Sequence, residues 1–207
     1  MDESEAKNII CTKYNVSRET LDKLEIHKNL LVKWQNALNI VSRGTLEAFW
    51  NRHILDSLQI IDKIQGKTVL DVGSGGGFPG MVLAICSDFQ VTCVDSDSKK
   101  MFFLEEVARL TDTKVTILTS RIEDISENFD TICARGFASL KKLIFLLSKH
   151  ANCGVFLKGE KLNQELAEAQ KYYDFKYKIY ESETDVSGKI IVVRDVIVKK
   201  IVYGKNL

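Results

Sequence analysis

The stretch Asp71-Val-Gly-Ser-Gly-Gly-Gly-Phe-Pro-Gly80 decides the fold. It overlaps Thr68-Val-Leu-Asp-Val72, a short and mostly apolar run of the kind that forms a buried parallel strand. Gly73, Gly75 and Gly77 follow at once, where a tight turn and close backbone approach to a ligand favour residues without a Cβ. Pro79, the single proline of the chain, stands where the next helix should begin. Its fixed φ and missing N–H cost nothing there.

Outward from this loop, strand-like runs recur at 90–94, 114–119, 130–134 and 154–157. Helical patterns at 79–86, 98–110 and 140–149 separate them. Strands alternating with helices of this length predict right-handed βαβ units and a parallel sheet covered on both faces. The tail changes to strand-like runs at 175–181 and 190–198, with Ser187-Gly188 as the turn, which predicts an antiparallel C-terminal edge. Upstream, Leu21, Leu24, His27, Lys28, Leu31, Trp34 and Leu38 recur at three- and four-residue steps, one face of an amphipathic helix. A second short helix, unbroken or broken once, is expected over 45–64, with Thr45 as N-cap and Gly66 after its end. The reading is an α/β protein: a doubly wound, mostly parallel Rossmann-like sheet over 67–207, with an N-terminal helical appendage over 1–66.

Composition bounds the partners. The chain has 207 residues, 45% hydrophobic and 28% charged, with a net charge of +1. A uniformly cationic nucleic-acid coat is excluded, so any RNA site must be a local patch. Nothing suggests a DNA partner or an obligate dimer, and a monomer is expected. No apolar run approaches the roughly 18 residues that span a bilayer, and the acidic start Met-Asp-Glu-Ser-Glu is no secretory signal. Five cysteines without a C-x-x-C read as apolar fillers in a reducing compartment, not as disulfides or a metal site. The expectation is a cytoplasmic protein that binds neither metal nor membrane.

The glycines alone leave the ligand open, because Gly75-Gly-Gly-Phe-Pro-Gly80 also fits the G-x-G-x-x-G pattern of nicotinamide enzymes. Asp71 favours a cationic ligand such as S-adenosyl-L-methionine, since a carboxylate beside the turn would repel a pyrophosphate. Asp95, at the end of the next strand run, suits the ribose hydroxyls, with a helix N-cap as its alternative role. In Ser120-Arg-Ile-Glu123, Ile122 and Glu123 are the candidates to border an adenine.

Further motifs stand in order along the chain: Arg52-His-Ile-Leu-Asp-Ser57, the glycine loop, Asp95-Ser, Arg121-x-Glu123, Ala134-Arg-Gly-Phe-Ala-Ser-Leu140 and Leu157-Lys-Gly159. Together they closely resemble the bacterial small-subunit (16S) ribosomal RNA guanine-N7 methyltransferases, the family also called glucose-inhibited division protein B. The resemblance implies methyl transfer from S-adenosyl-L-methionine to N7 of a guanine near the decoding centre, on 16S ribosomal RNA or the small subunit. It places cofactor contacts on Gly73, Phe78, Ile122, Glu123 and Arg135, beside Gly75 of the loop and Asp95. Gly136 stands where the family has alanine, and Trp34-Gln35-Asn36…Asn39-Ile-Val-Ser42 only approximates the family's Trp-Asn…Asn-Leu-Thr.

Guanine N7 carries an in-plane lone pair and needs no deprotonation, so no catalytic base is expected, only alignment. Arg135 is the positioning candidate, with a surface salt bridge as its alternative. Arg52, His53 and Lys158 are the substrate candidates through RNA phosphates, although His53 equally suits helix packing. Lys99-Lys100, Lys141-Lys142 and Lys199-Lys200 read mainly as solvated faces, with one pair of the three expected to touch RNA; Trp34 and Trp50 read as core, with a stacking face for a flipped base as their alternative. Three other functions compete: a nicotinamide-dependent oxidoreductase, a methyltransferase for a protein or small molecule, and a non-catalytic S-adenosyl-L-methionine-binding or RNA-chaperone module.

Overall fold

The computed structural model describes residues 2–199. Seven strands form one sheet in the order β3-β2-β1-β4-β5-β7-β6. β1 (Thr68–Val72), β2 (Gln90–Asp95), β3 (Thr116–Thr119), β4 (Phe129–Arg135) and β5 (Ala151–Lys158) run parallel to one another. β7 (Lys189–Val198) runs antiparallel to β5, and β6 (Tyr173–Glu181) pairs antiparallel with β7 at the edge. β1 occupies the expected span residue for residue. β5 runs longer than the apolar run that signalled it, because its first residues pair with β4 from Ala151 onward.

Two hydrophobic layers sandwich the sheet. One joins Val69, Val91 and Cys93 of the strands to α5 (Gly80–Cys86), α6 (Ser98–Thr111), α1 (Glu3–Lys13) and α2 (Arg18–Leu38). The other packs Leu70, Val72, Val94 and Phe156 against α7 (Leu140–His150) and α8 (Leu162–Ala169). Residues of opposite parity on β1 enter opposite layers, as the two-residue period of a strand requires.

α2 carries the expected stripe: Leu24, His27 and Leu31 are buried, Ser17 caps its start, and Asn39 ends it in the left-handed region. The helix expected over 45–64 is instead a series of short turns. α3 (Arg43–Leu46) starts one turn early behind Ser42, a π-helical turn covers Trp50–Leu55, α4 covers Asp56–Leu58 and a 3₁₀ turn Ile61–Lys63. The wider π turn lets Trp50, Ile54 and Leu55 all reach the core while Arg52 and His53 face the carboxyl edge of the sheet. α8 was not foreseen; its eight residues offer only Leu162, Leu166 and Ala169 as a buried stripe. Ser187-Gly188 closes a longer loop over 182–188 that runs between β6 and β7. Lys200 of the third lysine pair lies outside the described residues.

Candidate cofactor and substrate site

The glycine turn is built as its residue types demand. Gly73, Gly75 and Gly77 all have positive φ, at 69°, 52° and 87°. A Cβ on Gly77 would lie 2.6 Å from the Cβ of Met81 and 2.8 Å from Leu104, so this glycine lets the loop sit on α5 and α6. Gly73 and Ser74 donate their backbone N–H groups to the Val94 carbonyl at 2.9 and 3.1 Å, which joins the loop to the end of β2.

Asp71 acts differently from its expected role. Its side chain is fully buried beneath the loop, where Oδ2 accepts the Gly80 N–H at 3.0 Å and Oδ1 lies 3.8 Å from Cys133 Sγ. Burial pushes its pKa up to about 6. The carboxylate lines neither hollow of the neighbouring cleft; it pins the first turn of α5, and the selection of a cation by repulsion of pyrophosphate does not follow from its position. The acid that faces the cleft is Asp95, whose two oxygens accept the N–H groups of Gly75 (3.1 Å) and Asp97 (3.0 Å). The N-cap of α6 is Asp97, which leaves Asp95 free of that duty.

The cleft comprises two hollows of about 270 and about 140 Å³ that share Gly73, Asp95 and Phe137. Gly75 and Phe78 line the first, Ile122 and Glu123 the second, and Arg135 stands at the inner end of the first. Ile122 is buried, whereas Glu123 is exposed and pairs with Lys142 at 3.3 Å.

Phe78 belongs to a ring stack. His27 of α2 stacks on it (centroids 5.0 Å, 8°), and so does His53 (4.5 Å, 25°). The Arg135 guanidinium is 5.1 Å from the Phe78 centroid. It donates to the Arg52 carbonyl (2.5 Å), to Asp56 Oδ2 (3.0 Å) and to His53 Nδ1 (2.7 Å). A guanidinium only donates, so Nδ1 must accept. His53 is therefore neutral, with its proton on Nε2 directed at Thr45 Oγ1 at 3.0 Å. Burial first, then the Arg135 charge, push its pKa down to about 3; burial alone drives His27 to about 4 despite its bond to the Gly76 carbonyl. The ion-pair reading of Arg135 is thus realised with Asp56, at the inner wall of a cleft.

Beyond Arg135 and Gly136 opens a cavity of about 780 Å³. The structure brings Arg52, His53 and Lys158 together in its walls, but it also gives each an internal partner. Arg52 pairs with Asp185 at 2.6 Å, and that guanidinium holds the Asp185 pKa down at about 2. Lys158 pairs with Glu165 at 2.6 Å and donates to the Ala138 carbonyl at 2.9 Å. Glu165 also accepts the Leu140 N–H, so this pair fixes the loop that leads from Arg135 into α7. Wall residues that sequence reasoning missed include Thr45, Asp56, Gln59, Glu165 and Asp185. Asp56 lay inside a quoted motif, and its spacing from His53 was the available signal; nothing local marks Asp185, which reaches the site only because β6 and β7 fold back beside β5.

Among the described residues no group of three or more His, Cys, Asp or Glu side chains could hold a metal ion, and no helix is long and apolar enough to cross a membrane. Trp50 is core, and Trp34 is half-buried against Phe102 and Phe103.

Solved structures similar to this chain include a ribosomal protein L11 methylase from Lactobacillus delbrueckii subsp. bulgaricus (TM-score 0.52, 23% identity, 70% of this chain and 77% of that one). A TehB-like SAM-dependent methyltransferase from Corynebacterium glutamicum aligns with TM-score 0.56 at 15% identity, over 82% and 97% of the two chains. At these identities they show the fold, a Rossmann-like methyltransferase sheet. Sequence relatives reach further. The Ribosomal RNA small subunit methyltransferase G of Gluconobacter oxydans is 44% identical over 87% of this chain and 96% of its own length. That of Paramagnetospirillum magneticum is 40% identical over 90% and 94%. The family described as GidB, rRNA small subunit methyltransferase G, matches residues 20–192. This chain therefore belongs to the rRNA small subunit methyltransferase G family, and is an S-adenosyl-L-methionine-dependent methyltransferase.

Proposed function

We propose that this protein methylates N7 of one guanine near the decoding centre of 16S ribosomal RNA, acting as a monomer in the cytoplasm. The observation that carries the reading is the junction: the cleft beside the glycine loop and the 780 Å³ cavity share Val41, Arg135 and Gly136. A ligand in one can therefore face a ligand in the other across the Arg135 side chain.

The cleft residues fit S-adenosyl-L-methionine. Asp95 spends one lone pair of each oxygen on a backbone N–H, which leaves capacity for the two ribose hydroxyls. Gly75 leaves its surroundings open, with no atom nearer than 3.8 Å to the place of a Cβ. Ile122 offers an apolar wall and Glu123 an acceptor for the adenine. Gly73 and Phe78 shape the floor. The bound cofactor supplies an electrophilic methyl group on a sulfonium.

The chain's own residues have little proton chemistry to perform. Arg135 stays charged and fixed by three acceptors, so it can hold an anionic or carbonyl oxygen at the junction without moving. His53, neutral and donating from Nε2 to Thr45, cannot serve as a general base, and N7 of guanine asks for none. Arg52 and Lys158 add positive charge to the cavity wall for RNA phosphate. Rate enhancement then comes from alignment of acceptor and donor in a fixed frame.

The test uses the full protein with labelled S-adenosyl-L-methionine and small ribosomal subunits from cells lacking the gene, followed by borohydride–aniline cleavage at 7-methylguanine. One new cleavage site in a decoding-region loop is the expected result. Label in protein or in no RNA at all, with cofactor binding intact, would overturn the RNA assignment.

A further inference from the structure

Helix α7 leaves the site directly: Arg135 ends β4, Phe137 lines both hollows of the cleft, and α7 begins at Leu140. Its inward stripe is buried core, from Leu140 and Leu143 to His150. Its outward stripe is Lys141, Lys142, Phe145, Ser148 and Lys149, related by the three- and four-residue steps of a single helical face. The helix holds no acidic residue. Phe145 is 38% exposed and Phe137, at the head of the stripe, 39%.

Each of the three lysines lies over an aromatic ring. The Lys141 ammonium is 3.4 Å from the Tyr172 centroid, that of Lys142 is 5.5 Å from Phe137, and that of Lys149 is 4.6 Å from Phe145. The acids that face the stripe come from other elements: Glu123 pairs with Lys142, and Glu168 of α8 pairs with Lys171 and also feels the Lys141 charge from beyond ion-pair distance. Lys141 and Lys149 have no carboxylate partner among the described residues. Ammonium groups set among partly exposed aromatic rings are what a flexible single strand needs: cations for its phosphates and apolar surface for its bases. The chain as a whole is nearly neutral, so this acid-free face stands out as a local patch beside the site.

We propose that the outward face of α7, from Phe137 through Lys141 and Phe145 to Lys149, docks the ribosomal RNA strand that flanks the target nucleotide. The inference rests on the RNA methyltransferase reading above. Over the 11 residues of α7 the stripe extends about 16 Å from the cleft, so the flanking strand is tethered while the target base occupies the cavity.

The experiment compares wild-type protein with the double variant Lys141→Gln/Lys149→Gln and with Phe145→Ala, none of which touches the cleft. Binding to transcribed 16S ribosomal RNA is measured over a salt series, and methyl transfer is followed as KM for RNA and kcat. For the double variant the expected result is a slope of log affinity against log salt shallower by roughly 1.5, from about 0.7–0.9 per lost phosphate contact. KM should rise about tenfold, with kcat and cofactor affinity unchanged. Phe145→Ala should raise KM several-fold without altering the slope, as loss of base stacking does. Unchanged KM and slope overturn the proposal. So does a fall in kcat with a lowered melting temperature, which marks a structural role. Binding of the wild type to anionic phospholipid vesicles as tightly as to RNA, lost in the double variant, assigns the face to a membrane instead and also overturns it. The salt series needs no methyl transfer: a wild type that binds RNA but methylates none refutes the proposed reaction while the slope still decides the role of α7.

Discussion

Acidification from pH 7 to pH 5 should destabilise this protein through two buried histidines that titrate with nothing in the active chemistry. An unfolded chain takes up a proton on each imidazole near pH 6.5, whereas the folded protein resists until about 4 at His27 and about 3 at His53. A depressed folded pKa gives stability that is complete above 6.5 and is lost as pH falls toward the folded value. At about 1.4 kcal/mol per pH unit, each histidine costs about 1.9 kcal/mol between pH 7 and 5. Asp71 works in the opposite direction. Its folded pKa of about 6 lies above the usual 3.8, so its buried charge is relieved on acidification, which returns about 1.3 kcal/mol over the same window. The balance is a net loss of about 2.5 kcal/mol. In urea unfolding that is a midpoint lower by about 1 M at pH 5. His53→Gln should remove about 1.9 kcal/mol of the pH difference, whatever it does to stability at pH 7. A midpoint that stays level or rises between pH 7 and 5 would refute the reasoning, as would an NMR titration that finds either folded imidazole protonating near pH 6.5.

The remaining predictions concern the site. Gly73→Ala places a Cβ 2.1 Å from the Phe137 ring at a φ of 69°, so calorimetry should show cofactor affinity reduced at least tenfold. Asp95→Ala removes a charged acceptor worth about 1.5–3 kcal/mol per hydrogen bond; cofactor affinity should fall by 10- to 100-fold with little change in melting temperature, and methyl transfer should vanish. Asp56→Ala leaves the Arg135 guanidinium without its carboxylate in a half-buried wall. It should cost about 3 kcal/mol in urea unfolding and abolish methyl transfer, as should Arg135→Ala; full activity in both would remove Arg135 from the site.

The strands and the glycine loop could be read from sequence because a parallel strand buried on both faces is a continuous apolar run, and few residue types fit a loop of three positive φ values. What lay beyond reach was direction and partnership. Asp71 stands in an apolar strand, and a two-residue period cannot say whether its face meets a ligand or the underside of α5. The irregular segment 43–63 escaped because a π turn has no 3.6-residue signature, yet it carries Arg52, His53 and Asp56 into the cavity. α8 was missed for a similar reason: a two-turn helix shows too little of its stripe. Asp185 is 133 residues from Arg52 in sequence, and only the antiparallel return of β7 beside β5 brings the two together.

Those partnerships change the electrostatic account of the site. The sequence suggests a cavity lined by free cations, Arg52, Arg135 and Lys158. In the folded protein each is matched by a carboxylate from another element: Asp185 from the β6–β7 loop, Asp56 from α4 and Glu165 from α8. Paired in this way the cavity wall is rigid and close to neutral, which suits the alignment of one uncharged base but does little to attract a polyanion. A chain with a net charge of +1 cannot attract RNA through its overall field either. Attraction must then come from cations without a salt bridge; among the described residues beside the site these include Lys161 of the cavity wall, Arg121 at the second hollow, and Lys141 and Lys149, which share the acid-free outer face of α7. On the proposed reading, positioning and capture fall to different residues: the paired charges of the cavity hold the target nucleotide, and the lysines of α7 hold the strand that flanks it.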